Sequence, residues 1–273
     1  MHPARPRHVP GLRRASAEVV AHDPGPAQWR VGGIVAEVEP GAFRFIRSIV
    51  LPLMSIATKR DWRGREHIPA EGAVIMAPNH TSYFDPLVIG HFIHASGRVP
   101  RFLGKREIVE MPVLGRLFKA AGQIPVHRGT ASAANAYRDA ITALGRGACI
   151  TIYPEGTTTK DPDLWPMMGK TGAARMALAT GAPVIPIAQW GAHEVMRKGP
   201  GPKFSLLPRK TMHVHAGAPV ALDDLRDRDI TSELLEEATE RIMLAITMLL
   251  AEIRAELPPA ERFDPRRRRG ESA

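Results

Sequence analysis

The 273-residue chain has one cysteine, Cys149, set inside an apolar run. No disulfide can close within it, and no zinc cluster can rest on its thiolates. Aromatic residues are scarce as well, with three Tyr and four Trp. That leaves no evident stacking stretch for single-stranded nucleic acid, so no nucleic-acid partner is expected. Long hydrophobic runs are missing too. The Pro/Arg-rich start lacks an apolar core and a small-residue cleavage site, so no signal peptide is expected. The longest apolar run, 48–58, contains Pro52 and follows Arg44 and Arg47. It falls short of the roughly 20 residues of a membrane span. For 43–57, a helix in the membrane interface and a helix packed on the domain are equally open. Gly169-Lys170-Thr171 has the ending of a nucleotide-binding phosphate loop, but the glycine that such a loop needs at 164 is Leu164.

What is present is positive charge, formally +9. Residues 1–32 carry five Arg against two acids, and residues 258–273 five Arg against three. Inside the chain, residues 98–128 hold seven Lys/Arg against Glu107 and Glu110, enough to account for the whole excess between the tails. Charge concentrated in one stretch points to an anionic ligand in a defined place, and the tails suit any polyanionic surface. The expected organisation is a flexible basic region at 1–40, one domain at 41–257 opened by a helix at 41–60, and a disordered basic tail at 258–273.

Strand and helix patterns alternate through that domain. Apolar runs at 73–77, 101–104, 123–126, 148–153 and 184–188 read as strands, and 210–215 as another. Helices are expected at 86–93, 112–120, 131–144, 172–180 and 232–256. In the last, Leu235, Ala238, Ile242, Ile246, Leu249 and Ile253 form one apolar stripe. This alternation predicts an α/β domain with a mixed, largely parallel sheet flanked by helices. His213 and His215 share one strand face. Satisfied polar positions and a metal pair both fit them.

Open α/β sheets carry their chemistry in the loops at the C-terminal ends of strands. After the strand at 73–77 comes Asn79-His80-Thr81-Ser82-Tyr83-Phe84-Asp85-Pro86. Imidazole titrates near neutrality and can take a proton from a hydroxyl, best when a carboxylate fixes its other nitrogen. Asp85 can fold back onto His80, or it can simply cap the following helix. With eleven histidines in the chain, the pair alone is a weak signal. Three further loops follow strand-like runs: Gly104-Lys105-Arg106, Gly122 through Arg128 to Gly129, and Tyr153-Pro154-Glu155-Gly156-Thr157-Thr158. A histidine base, fixed cations and a Glu-Gly-Thr turn would then share one cleft.

Four ordered blocks carry a family resemblance. They are Asn79–Asp85 with its His-x4-Asp pattern, Gly122–Arg128, Tyr153–Thr158, and Ala182-Pro183-Val184-Ile185-Pro186-Ile187; Gly169–Ala173 adds a Lys-containing segment. Over roughly 62–216 the chain resembles the glycerolipid acyltransferases, in particular the bacterial 1-acylglycerol-3-phosphate acyltransferases. The resemblance implies a glycerolphosphate acyltransferase-like fold. It also implies transfer of a fatty acyl group from acyl-CoA or acyl carrier protein to the hydroxyl of lysophosphatidic acid, giving phosphatidic acid. His80 would be the general base and Asp85 its orienting partner. Asn79, Lys105, Arg128, Glu155, Gly156, Thr157 and Lys170 would bind substrate. No cofactor and no metal are implied. The resemblance further implies peripheral residence on a membrane surface, at the cytoplasmic face. The chain departs from the pattern at Thr158, where the family has arginine, and at Tyr153, where it has phenylalanine. The phosphate-holding role of that arginine would pass to Lys160, Lys170 or Lys105. Another glycerolipid acceptor, or a non-catalytic membrane- or polyanion-binding protein, is the alternative.

Overall fold

In the computed structural model, the alternation read from the sequence becomes a seven-stranded mixed sheet with helices on both faces. The structure describes residues 39–105, 123–126, 131–197 and 203–266. The helix expected at 112–120, the basic region before residue 39 and the arginines at 267–269 lie outside them. The described elements in chain order are α1 (Gly41–Ala57), β1 (Thr58–Arg63), β2 (Val74–Pro78), α2 (Asp85–Ala95), β3 (Pro100–Lys105), β4 (Ile124–Val126), α3 (Ala131–Gly145) and β5 (Cys149–Thr151). They continue with α4 (Gly172–Thr180), β6 (Val184–Trp190), α5 (Ala192–Val195), β7 (Met196–Arg197), β8 (Lys203–Phe204), β9 (Lys210–Ala216), α6 (Asp223–Arg226) and α7 (Ser232–Arg254).

The sheet order is β1-β9-β6-β2-β5-β3-β4. Every pair is parallel except β6 with β9, so β6, β2, β5, β3 and β4 point one way and β1 and β9 the other. The C-terminal ends of β2, β5, β3 and β6 therefore meet on one edge. The short hairpin of β7 and β8 stands apart.

Alternation along the strands builds two cores. Ile75, Ala77, Ile150 and Val184 face α3, α4 and α7 through Ala140, Leu144, Ala174, Ala177, Ile242 and Ile246. Val74, Met76, Cys149, Ile185 and Ile187 face the other way, onto Val88, Ile89, Phe92 and Ile93 of α2 and Met54 of α1. Central strands buried on both faces must be mostly apolar, which is why they read as apolar runs.

Two expectations are corrected. The helix expected to reach residue 60 stops at Ala57. Thr58 turns extended, donates its hydroxyl to Met54 O at 2.7 Å, and starts the edge strand β1 against β9. The tail expected to be disordered from 258 is laid against α7 as far as residue 266. Phe263 O accepts the Met168 N–H at 3.0 Å, and Arg262 makes a bidentate pair with Glu240. This segment, α7 and Met168 of the loop after β5 line a cleft of about 390 Å³, with Leu244 and Arg262 in its wall. His213 is held by Asp61 across the β1–β9 pair, Nδ1 to Oδ2 at 2.9 Å.

Candidate active site

Pro78 ends β2 because proline has no N–H to continue the ladder. Asn79 then extends the pairing with β6 by other means. Its main-chain N–H donates to Ile187 O at 3.2 Å. Its side-chain amide behaves as one more strand residue: Nδ2 donates to Gln189 O at 3.1 Å, and Oδ1 accepts the Gln189 N–H at 2.7 Å. Both ends of the Asn79 amide thus bond to the main chain of Gln189. This pairing gives Asn79 a part in shaping the loop.

The next residue, His80, leaves the sheet edge with its ring turned to Asp85. The Nδ1 to Asp85 Oδ2 distance is 2.8 Å, with the histidine side chain 9% exposed and the aspartate fully buried. Asp85 opens α2, with proline next in the helix. Its Oδ2 also accepts the N–H groups of Thr81 at 2.6 Å and Ser82 at 2.9 Å. This is a local side-chain turn that folds the five-residue segment back on itself. Of the two alternatives left by the sequence, the carboxylate takes the orienting one: Phe84 is the N-cap, and no side chain caps the helix. With Nδ1 engaged, Nε2 is the nitrogen left for proton transfer.

A second loop, after β5, closes around the histidine. Tyr153 stacks on the imidazole with ring centroids 4.1 Å apart and planes 22° from parallel, and Phe102 of β3 stacks beyond it at 6.4 Å. The Tyr153 hydroxyl is buried without a hydrogen-bond partner. Burial, and then the charge of Asp85, push its pKa well above 10, so the phenol stays neutral. Glu155, 1% exposed, accepts the His80 main-chain N–H on Oε1 at 2.8 Å and the Met167 N–H on Oε2 at 3.2 Å. Thr159 donates its N–H to His80 O at 2.6 Å. The backbone of His80 is thereby clamped on both its polar atoms by the 153–167 loop. Glu155 thereby orders the loop around the histidine.

Gly156 adopts φ +72°, and a Cβ there would meet the Lys170 side chain at 3.0–3.1 Å. Its N–H donates to Tyr153 O at 2.9 Å. Lys170 is anchored by its own N–H on Pro154 O at 2.9 Å and lays its charged end over the Glu-Gly-Thr turn. Thr157 is half-buried in that turn and Thr158 is buried. Lys105 ends β3 beside Val126 of β4, on the same sheet edge, and its side chain is outside the description. Arg128 also lies outside the described residues. The structure thus brings together His80, Asp85, Glu155, Gly156, Thr157 and Lys170.

Two neighbours of the dyad were missed from the sequence. Tyr153 was noted only as a replacement for phenylalanine, and Gln189 was passed over. Gln189 is the one polar side chain in the otherwise apolar β6 before Trp190. A lone amide at the end of a buried run was the available signal.

Residues 59–190 match the family model described as Acyltransferase. The chain is 30% identical over 143 residues to a chloroplastic 1-acyl-sn-glycerol-3-phosphate acyltransferase of Brassica napus, covering 52% of this chain and 40% of that protein. It is 32% identical over 136 residues to the 1-acyl-sn-glycerol-3-phosphate acyltransferase of Borreliella burgdorferi, covering 50% of this chain and 52% of that protein. The chain thus spans about half the length of these relatives. The crystal structure of the 1-acyl-sn-glycerophosphate acyltransferase from Thermotoga maritima superposes with a TM-score of 0.60 at 21% identity, covering 80% of this chain and 81% of that one. That likeness is one of fold.

Proposed function

From the match of residues 59–190 to the acyltransferase family model, we propose that the chain moves a fatty acyl group from an acyl thioester to the free hydroxyl of 1-acylglycerol 3-phosphate. The observation that carries this reading is the buried 2.8 Å contact between His80 Nδ1 and Asp85 Oδ2 at a strand end. The relatives named above support the choice of acceptor.

In this reading His80 Nε2 removes the proton from the acceptor hydroxyl as its oxygen attacks the thioester carbonyl. Asp85 holds the ring in one tautomer and stabilises the imidazolium that forms. The tetrahedral oxyanion collapses, the C–S bond breaks, and the imidazolium returns its proton to the leaving thiolate of CoA or acyl carrier protein. The products are phosphatidic acid and a free thiol. At the Glu-Gly-Thr turn, the Gly156 N–H is already committed to Tyr153 O. The Thr157 N–H is the one assigned to that task. Lys170, with Lys105 and Arg128, is assigned to the acceptor phosphate. Thr158 stands where the family resemblance has arginine, which favours, as the second reading, transfer to another glycerolipid.

The experiment supplies labelled acyl-CoA or acyl carrier protein with 1-acylglycerol 3-phosphate, glycerol 3-phosphate and a zwitterionic lysophospholipid in turn. Label is expected in phosphatidic acid. Label in a different product alone would replace the acceptor, and label in none would remove the activity.

Peripheral docking at the cytoplasmic membrane face is part of the proposal. Along α1, Phe45, Ile49, Leu53 and Ile56 are 49–72% exposed at spacings of four, four and three. The exposed Arg44, Lys59 and Arg60 accompany them. Among the described residues no helix is long and apolar enough to cross a membrane. An exposed apolar stripe beside cations fits the headgroup boundary of an anionic bilayer. Replacing Ile49 and Leu53 by Glu should weaken sedimentation with phosphatidylglycerol vesicles by at least ~10-fold, given ~1.5–3 kcal/mol per buried aliphatic side chain. Unchanged sedimentation would assign the stripe to another contact.

A further inference from the structure

Gln189 grips the chain on both sides of His80. Its main chain is paired with the side chain of Asn79, the residue before the histidine. Its side chain is bonded to Thr81, the residue after it, with Nε2 donating to Oγ1 at 2.9 Å. Gln189 and Thr81 are both buried. Thr81 in turn is tied to the aspartate twice, through its N–H to Oδ2 at 2.6 Å and its hydroxyl to Oδ1 at 3.4 Å.

The proton count fixes the direction of this chain. An ionised carboxylate only accepts, so the single hydroxyl proton of Thr81 must point at Asp85 Oδ1. The hydroxyl oxygen then has lone pairs for an incoming N–H, and the amide N–H of Gln189 supplies it. The reversed amide would compete with Asp85 for the Thr81 proton. The observed orientation leaves Gln189 Oε1 buried without a partner. Folds rarely tolerate a bare buried acceptor, and this one accompanies the presentation of an N–H to Thr81.

We propose that Gln189 is a positioning residue for the His80–Asp85 dyad. Its amide N–H fixes the Thr81 hydroxyl, which holds the Asp85 carboxylate in the plane that meets His80 Nδ1. The inference rests on the reading of His80 as general base. A residue that aims the base without touching either substrate alters turnover and leaves substrate binding alone.

The test uses the full chain and the acyl-transfer assay, with melting temperature recorded for every variant. Gln189→Met keeps the side-chain length and the main-chain pair to Asn79, and removes both polar atoms. It is expected to lower kcat about 10-fold, below the ~100-fold of a full 1 Å misplacement, with KM for donor and acceptor within about 2-fold. Thr81→Val should behave alike, and Thr81→Ser should restore most of the turnover. Because the two side chains act through one chain of bonds, the double variant Gln189→Met/Thr81→Val should be no slower than the slower single variant. Wild-type kcat in Gln189→Met overturns the proposal, as does a double variant whose loss is the product of the two single losses. If Gln189→Met does not fold, Thr81→Val against Thr81→Ser decides, and wild-type kcat in Thr81→Val overturns it. Activity surviving in His80→Ala would sink the underlying reading; an inactive His80→Ala beside a fully active Gln189→Met sinks this inference alone.

Discussion

Glu155→Gln separates a loop clamp from a substrate ligand. In the wild type one carboxylate oxygen takes the His80 N–H at 2.8 Å and the other takes the Met167 N–H at 3.2 Å, in a site 1% exposed. The amide has the same shape but a single oxygen, so one of those N–H groups must face an NH2 donor. A hydrogen bond to a charged group contributes about 1.5–3 kcal/mol, and stranding a buried N–H costs about 1–3 kcal/mol. Because the two overlap, a destabilisation of about 2–4 kcal/mol is expected. In a domain of this size that lowers Tm by roughly 4–16 °C. Thermal unfolding followed by circular dichroism measures it, and steady-state kinetics on the folded fraction measures the rest. Turnover should fall because the His80 backbone loses one of its two clamps, while KM for the acceptor should stay within about 2-fold. A variant as stable as wild type with a strongly raised acceptor KM would refute the clamp and return Glu155 to the acceptor site.

Tyr153 offers a second comparison. Tyr153→Phe removes a hydroxyl that is buried without a partner and should leave stability equal or raised by up to ~1 kcal/mol, with turnover retained. Tyr153→Leu removes the 4.1 Å stack on His80; losing an aromatic pair of about 0.5–1.5 kcal/mol should lower kcat roughly 2- to 10-fold, and full turnover in a native-like melt would refute the platform role. Stability should also fall with acid through His91. Burial, with help from Arg60 and His94, holds its pKa at about 4 against an ordinary 6.5. The unfolded imidazole therefore takes a proton first as pH drops, and folded stability is full above pH 6.5 and declines toward pH 4, by at most on the order of 3 kcal/mol. His91→Phe should keep the edge contact to Trp62 and flatten that decline in a pH series of urea melts; an unchanged slope would assign the acid sensitivity elsewhere.

How far the sequence could be read depended on the range of each interaction. Strands β2, β5 and β6 were legible because both of their faces are buried, so their runs are mostly apolar. The first half of β1, Thr58 to Arg60, was absorbed into the preceding helix because an edge strand shows charge to solvent and carries no apolar run. The dyad was legible because its partners are five residues apart and their contact is closed by local turns. The bonds of Asn79 and Glu155 were not, since each is made to main-chain groups far along the chain, at Gln189 and at His80. Composition and spacing identify a polar side chain; which orphaned N–H or C=O it must satisfy is settled only when the strands are brought together.

The most direct measurement is kcat for acyl transfer to 1-acylglycerol 3-phosphate in wild type, His80→Ala and Asp85→Asn at matched folded fraction. Loss of about two to four orders of magnitude is expected in both variants, since one lacks the base and the other its orienting carboxylate. His80→Ala turning over at the wild-type rate would contradict general-base catalysis by His80.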